Sequence, residues 1–295
     1  MRMIVFTIKA IAKQRDWLCR NNYRSSAVSD SELKLLVSKY PSLRSLEFTA
    51  FLSPNLITVS CMADLSRMTE IRKLHAGARN FEMVEAIHKF THIEQLHLDY
   101  DMYFHRSLAV PELPCSSFPN LVHLTIDSAD WDEPPNSYAY LSQLHSLRHL
   151  ELCSGVPPAP QCLAGFTQLT GLELHGFNSD NIQEVQHLPT LCSLRMCGKP
   201  TSVEIGILAC MIQLTYLHVD NMEGFADRHV RCQLSAVLDL CSLTNLAFLS
   251  LEVAIDGYVY EAGLDSDSWE SADLIISTPA SPLAIPLNSK RRLHS

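Results

Sequence analysis

The sequence predicts an α/β solenoid in which a parallel β-sheet of about nine strands lines a concave side and helical or irregular connections return along a convex side. Three observations carry that prediction. A short phrase, apolar-x-x-apolar-x-apolar, recurs nine times; its copies are nearly evenly spaced; and the stretches between copies show either helical periodicity or clustered proline.

In chain order the phrases are LRSLEF (Leu43, Leu46, Phe48), IRKLHA (Ile71, Leu74, Ala76), IEQLHL (Ile93, Leu96, Leu98), LVHLTI (Leu121, Leu124, Ile126) and LRHLEL (Leu147, Leu150, Leu152). Then come LTGLEL (Leu169, Leu172, Leu174), LCSLRM (Leu191, Leu194, Met196), LTYLHV (Leu214, Leu217, Val219) and LAFLSL (Leu246, Leu249, Leu251). Their first residues are separated by 28, 22, 28, 26, 22, 22, 23 and 32 positions. In an extended strand side chains alternate faces, so the fourth and sixth residues of each phrase point to one side. One such strand cannot cover its own apolar face. Stacking copies in register lets each cover the next, with the first apolar residue turning the chain into the strand.

The connections differ in kind. SDSELKLLVSKY places Asp30 as an N-cap ahead of Leu33, Leu36, Val37 and Tyr40 at helical spacing. NFEMVEAIHKF, DNIQEVQHL and the longer DRHVRCQLSAVLDL read as helical in the same way. VPELPCSSFPN and GVPPAPQC are proline-rich, and proline forbids a regular helix there.

Across roughly residues 30–256 these phrases make the chain resemble the leucine-rich repeat superfamily, and specifically a ribonuclease-inhibitor-like horseshoe. The resemblance lies in the strand phrases. The ninth position of each repeat, commonly Asn or Cys in that superfamily, is here Phe51, Arg79, Asp101, Ala129, Gly155, Phe177, Lys199, Met222 and Ala254, so there is no asparagine ladder. Residues 1–29 read as an N-terminal capping segment and 30–261 as the repeat domain. Residues 262–295, rich in Ser, Pro and Asp, read as a disordered tail, with Thr278-Pro279 and Ser281-Pro282 as proline-directed phosphorylation candidates and Lys290, Arg291 and Arg292 as a weak targeting element.

Composition narrows the partners. Thirty-two acidic against 23 basic side chains give a formal charge of −9, which offers no long-range attraction to a phosphate backbone or an anionic membrane. The expected partner is therefore another protein, with no nucleic acid, no membrane and no small-molecule substrate. Ten cysteines scattered from Cys19 to Cys241, without a C-x-x-C pair or a glycosylation sequon, suggest reduced thiols and an intracellular location, cytoplasmic or nuclear. The opening MRMIVFTIKAIAKQR lacks the features of a signal peptide, and no long apolar run suited to a membrane span occurs.

The third, fifth and seventh positions of each phrase point away from the apolar side. The residues expected to meet a partner there are His75, His97, Asp99, His123, Asp127, His149, Glu151, Glu173, His175, Arg195, Tyr216, His218, Asp220 and Phe248. Six of the thirteen histidines fall on this face, where even scattering would place about one. Adjacent strands lie about 4.8 Å apart, so His75 is expected beside His97 and His123 beside His149. The mixture of imidazole and carboxylate suggests a surface whose charge changes between about pH 5 and 7.5. Tyr216, Phe248 and Arg195 are of the residue types that anchor interfaces.

Metal and cofactor are not expected. The row Cys153, His175, Cys197 offers zinc-like ligand types, but equal positions on neighbouring strands lie in a line, which places Cys153 about 9–10 Å from Cys197. No phosphate-binding loop, nucleophile elbow or H-E-x-x-H pattern occurs, and a sheet surface offers no oxyanion donors, so no catalytic residue is expected.

The expected function is thus a non-enzymatic protein–protein interaction scaffold. Two finer readings follow from resemblance. DWLCRNNYRSSAVSDSELKLLVSKYPSLRSLEF is similar to the junction where an F-box gives way to repeats, with Trp17 and Cys19 as the matching residues, which implies the substrate-recognition subunit of a ubiquitin ligase and a ligase adaptor as partner. Leucine-rich repeats also occur in a GTPase-activating protein of the nuclear-transport type, for which Arg79 and Arg195 are the candidate arginines.

Overall fold

Leucines at the fourth position of the phrase are the most regular feature of the structure. The computed structural model describes residues 30–39, 44–48, 59–78, 81–100, 113–127, 138–154, 157–198, 200–220, 231–232, 234–255 and 272–277. The proposed cap at 1–29, with Trp17 and Cys19, lies outside the described residues, as do Arg79, Thr278, Ser281 and residues 290–292. The chain divides into two compact units, Met1–Gly155 and Val156–Ser295.

In the first unit the phrases form strands β1 (Ser45–Phe48), β2 (Lys73–Ala78), β3 (Gln95–Tyr100), β4 (His123–Asp127) and β5 (His149–Cys153). They pair in sequence order, all parallel, with no register slip: Leu46 faces Leu74, Leu74 faces Leu96, Leu96 faces Leu124 and Leu124 faces Leu150. Each of these leucines is at most 1% exposed, and Ala76, Leu98, Ile126 and Leu152 at the sixth position are buried with them. Removing one leucine side chain from water stabilises by about 1.5–3 kcal/mol, so the column supplies the force that stacks the repeats. Helices α1 (Asp30–Lys39), α2 (Val59–Leu65) and α3 (Phe81–Ile87) occupy the early connections. Asp30, expected as the cap, is the first helical residue of α1. In the described part of the proline-rich connection, residues 113–120, a 3-10 turn spans Cys115–Ser117, and a second such turn spans Ala139–Gln143.

The second unit repeats the plan with β6 (Gly171–His175), β7 (Ser193–Cys197), β8 (Tyr216–Asp220) and β10 (Phe248–Ile255). Leu172, Leu194, Leu217 and Leu249 again meet across parallel pairs. Helices α4 (Ser179–Gln186) and α5 (Ser202–Leu208) both begin at a reciprocal cap, Asn178 with Asn181 and Thr201 with Glu204. The long helix expected from Asp227 is shorter: α6 covers Leu234–Asp239, and Arg231–Cys232 is a two-residue strand, β9, beside β10. Within the stretch read from composition as tail, Ala272–Ser277 forms β11, antiparallel to β10.

A backbone device recurs at the entries to β2, β3, β4, β5, β7, β8 and β10. The carbonyl of the second phrase residue accepts two N–H groups from the next repeat: Arg72 from Glu94 and Gln95, Glu94 from Val122 and His123, Val122 from Arg148 and His149. In the second unit Thr170, Cys192 and Thr215 do the same. The N–H of the first phrase residue donates to a carbonyl three residues earlier, at Phe90, Phe118, Leu144, Phe166, Leu188, Met211 and Leu243 among others. Those seven side chains are also buried, so the repeat carries a fourth core position ahead of the phrase. This turn satisfies the backbone N–H and C=O groups at those strand entries. Asn181, fully buried in α4, donates from Nδ2 to the Pro158 carbonyl, so one buried asparagine does brace adjacent connections, from a different position.

Candidate functional site

The strand positions that alternate with the leucines present their side chains on the face opposite the core, and each unit carries a different chemistry there. In the first unit the register partners are His75 with His97, Gly77 with Asp99, Asp99 with Asp127, His123 with His149, and Thr125 with Glu151. The two expected histidine pairs are real contacts. The His75 and His97 rings stack with centroids 3.9 Å apart, and those of His123 and His149 lie 5.6 Å apart.

Asp99 organises the first pair. Its Oδ2 lies 2.8 Å from His75 Nε2 and its Oδ1 lies 2.6 Å from His97 Nε2. The first contact is a formed hydrogen bond; the second is close but misaligned, an ion-pair contact that leaves His97 Nε2 without a linear acceptor. Gly77, opposite Asp99 in the register, has no side chain to stand between the carboxylate and His75. Asp99 is 4% exposed. Burial pushes its carboxyl up, but the hydrogen bond to His75, the close contact with His97 and the charge of both imidazoles outweigh burial and hold it at about 2. Burial pulls His97 down, yet Asp99, Glu151 and Asp127 together raise it above the ordinary histidine value. His123 goes the other way, lowered by burial and by the neighbouring His149 against the opposing pull of Glu151.

Thr125 connects the second half of this face. It is 3% exposed, donates to Glu151 Oε2 at 2.9 Å and lies 3.5 Å from His123 Nε2. Cys153 Sγ is 3.3 Å from Glu151 Oε1. Sequence reasoning passed over Thr125 as a site residue because a threonine on a strand is unremarkable; its fifth-position placement, opposite Glu151, was the signal.

In the second unit Glu173 is the hub. Its Oε1 accepts from His175 Nε2 at 2.8 Å and from Arg195 Nη1 at 3.0 Å. Burial raises the Glu173 carboxyl, while the His175 bond and the Arg195 charge bring it below its usual range. Tyr216 and Phe248, register partners, stack nearly parallel at 4.7 Å, and His218 tilts against Phe248 at 6.5 Å. Asp220 pairs with Cys197 through the backbone, but its side chain lies outside those described. The donors of Glu173, His175 and Cys197 lie within 4.8 Å of one another, as do those of His75, His97 and Asp99. Among the described residues no helix is long and apolar enough to cross a membrane.

In-register parallel strands, each buried on its leucine side and entered through the same carbonyl turn, define the architecture. The fold is that of a leucine-rich repeat protein. No family model and no curated protein matches the chain. Among solved structures it is similar to an internalin, InlF, from Listeria monocytogenes, at 16% identity and a TM-score of 0.43, covering 83% of this chain and 75% of that one. An internalin C2 from the same species is 17% identical with a TM-score of 0.41, covering 65% of this chain and 73% of that one. A leucine-rich repeat protein from Leptospira interrogans is 14% identical with a TM-score of 0.30, covering 83% and 81%.

Proposed function

We propose that the chain is a non-catalytic interaction scaffold that holds a protein partner on the sheet face opposite its leucine core. The observation that carries this reading is the ordering of that face. Its side chains are held in a defined register by Asp99, Thr125 and Glu173, while Tyr216 and Phe248 form a stacked aromatic platform. Polar groups fixed before a partner arrives lose little freedom on binding, and aromatic and arginine side chains supply binding energy at a contact's centre. The formal charge of −9 favours a protein over a nucleic acid as that partner.

The test compares three forms of the full chain in quantitative affinity capture: wild type, Tyr216→Ala with Phe248→Ala, and Val203→Ser. Val203 lies on α5 and is 67% exposed, away from the strand face. A partner lost by the aromatic double variant and kept by Val203→Ser supports the reading; the opposite pattern rejects it. The same capture separates the finer readings. A cullin-linked adaptor among the bound proteins favours a ubiquitin-ligase substrate receptor, and stimulated GTP hydrolysis that depends on Arg195 favours a GTPase activator.

A further inference from the structure

The geometry points to a divalent-cation site on the first unit's strand face, built from His75 Nε2, His97 Nε2 and one carboxylate oxygen of Asp99, that takes a first-row ion such as Zn2+ through these three protein donors. It goes beyond the scaffold reading and does not depend on it.

The donor set comes first. Two imidazoles and a carboxylate are ligands that first-row divalent ions accept, and three protein donors with an open fourth position is the arrangement of zinc sites that keep an exchangeable ligand. The donors also converge. All three lie within 4.8 Å of one another, and ligand atoms around one ion at about 2.0–2.2 Å stand about 3–4 Å apart. Small rotations of two imidazoles about their terminal torsion close that gap. His75 Nε2 is aimed at Asp99 Oδ2 at 2.8 Å, and His97 Nε2 lies off line but only 2.6 Å from Oδ1, so a cation bound to that carboxylate sits within reach of both rings. Each ring then coordinates through the nitrogen that now faces the carboxylate and carries its remaining proton, if any, on Nδ1.

Scaffold and field agree with this. The two strands that carry the donors pair directly, with His75 opposite His97 and Gly77 opposite Asp99, so the site is fixed by sheet register and not by a loop. Asp127 and Glu151 face the same cluster closely enough to act on His97, and with Asp99 they make the local field negative, while Lys73 on β2 is an opposing charge felt at His123. The two rings reach the surface in part, His97 at 34% and His75 at 17%, while His97 Nε2 and the Asp99 carboxylate are buried beneath them. A second cluster within one unit, Glu173 with His175 and Cys197, is less suited. The Arg195 guanidinium already lies 3.0 Å from Glu173 Oε1, and an incoming dication meets that charge, while Cys197 is only 3% exposed. The linear Cys153–Cys197 row excluded from the sequence is a separate matter; the site proposed here draws on neither cysteine.

The experiment titrates Zn2+ calorimetrically into chelator-treated full-length protein, and Co2+ with its visible absorption as a geometry report. The expected result is one tight site of four-coordinate character, weakened at least about tenfold by His97→Gln and by Asp99→Asn and unchanged by His149→Gln or Cys197→Ser. Circular dichroism of the metal-free variants checks folding. Should Asp99→Asn fail to fold, His97→Gln, a half-exposed position, decides the question alone. Absence of binding, binding indifferent to His97→Gln, or a thiolate-to-cobalt charge-transfer band that Cys197→Ser abolishes overturns the assignment.

Discussion

The strand faces of the two units share a scaffold and differ in almost everything placed on it. From β2 to β5 the face is imidazole and carboxylate: Asp99 between two stacked histidines, then Thr125 tying His123 to Glu151. From β6 to β10 it is one glutamate braced by His175 and Arg195, followed by a stacked tyrosine and phenylalanine. Beneath both lie the same leucine positions and the same carbonyl that takes two N–H groups from the next repeat. Core positions and backbone therefore set the architecture, and the third, fifth and seventh positions are left free to set chemistry.

If that division holds, the deepest perturbation is blind to which unit it strikes. Leu124→Ala and Leu194→Ala, both 0% exposed, should each cost about 2–5 kcal/mol in denaturant unfolding. A difference of several kcal/mol between them would break the comparison, since it would mean that one unit is held by something besides its leucine column.

An intermediate effect separates the faces. Asp99 has its carboxyl depressed from 3.8 to about 2 in the folded protein. Because the folded value lies below the unfolded one, the contribution is fully present above pH 3.8 and is lost as pH falls through about 2, with a size of about 2 kcal/mol. Chelator-treated wild type should lose that stability across this window, and Asp99→Asn should flatten the loss. An unchanged acid profile in the variant would remove Asp99 from its organising position.

The smallest effect divides the first face within itself. His97 is raised, so its stabilising contribution is present below pH 6.5 and fades as pH climbs through its folded value. His123 is lowered, so its contribution is present above pH 6.5 and fades as pH falls through its folded value. Imidazole proton resonances in metal-free protein should titrate on opposite sides of 6.5, with His97 the later to lose its proton as pH rises. Coincident titrations would mean that the Asp99 and His149 contacts are not maintained in solution.

Most of the fold was legible because its signal repeats. A leucine at the fourth position of the phrase is weak once and decisive nine times, and it placed the nine phrase strands and their buried face, though not β9 or β11. The fourth core position ahead of the phrase, Phe118, Phe166 or Leu188, was equally periodic but sits in a turn, where neither helical nor strand alternation draws attention to it. Helix α5 was not read from the sequence: Thr201 and Glu204 stand at capping-box spacing, but the helix is too short for an amphipathic pattern to draw attention to it. On the face, register alone brought His75 to His97 and His123 to His149. What register could not supply was the diagonal reach of Asp99 to His75, because equal positions were compared with equal positions, and that contact runs between a fifth position and a seventh.

The last strand has a consequence of its own. A stack of parallel repeats can in principle be prolonged by any segment that offers one more rung of matching polarity, including another copy of the same molecule. By laying Ala272–Ser277 antiparallel along Phe248–Val253, the chain ends the row on a strand running the wrong way. A newcomer at that side meets an edge strand of opposite sense to the repeats, so it does not continue their parallel register by simply adding one more rung.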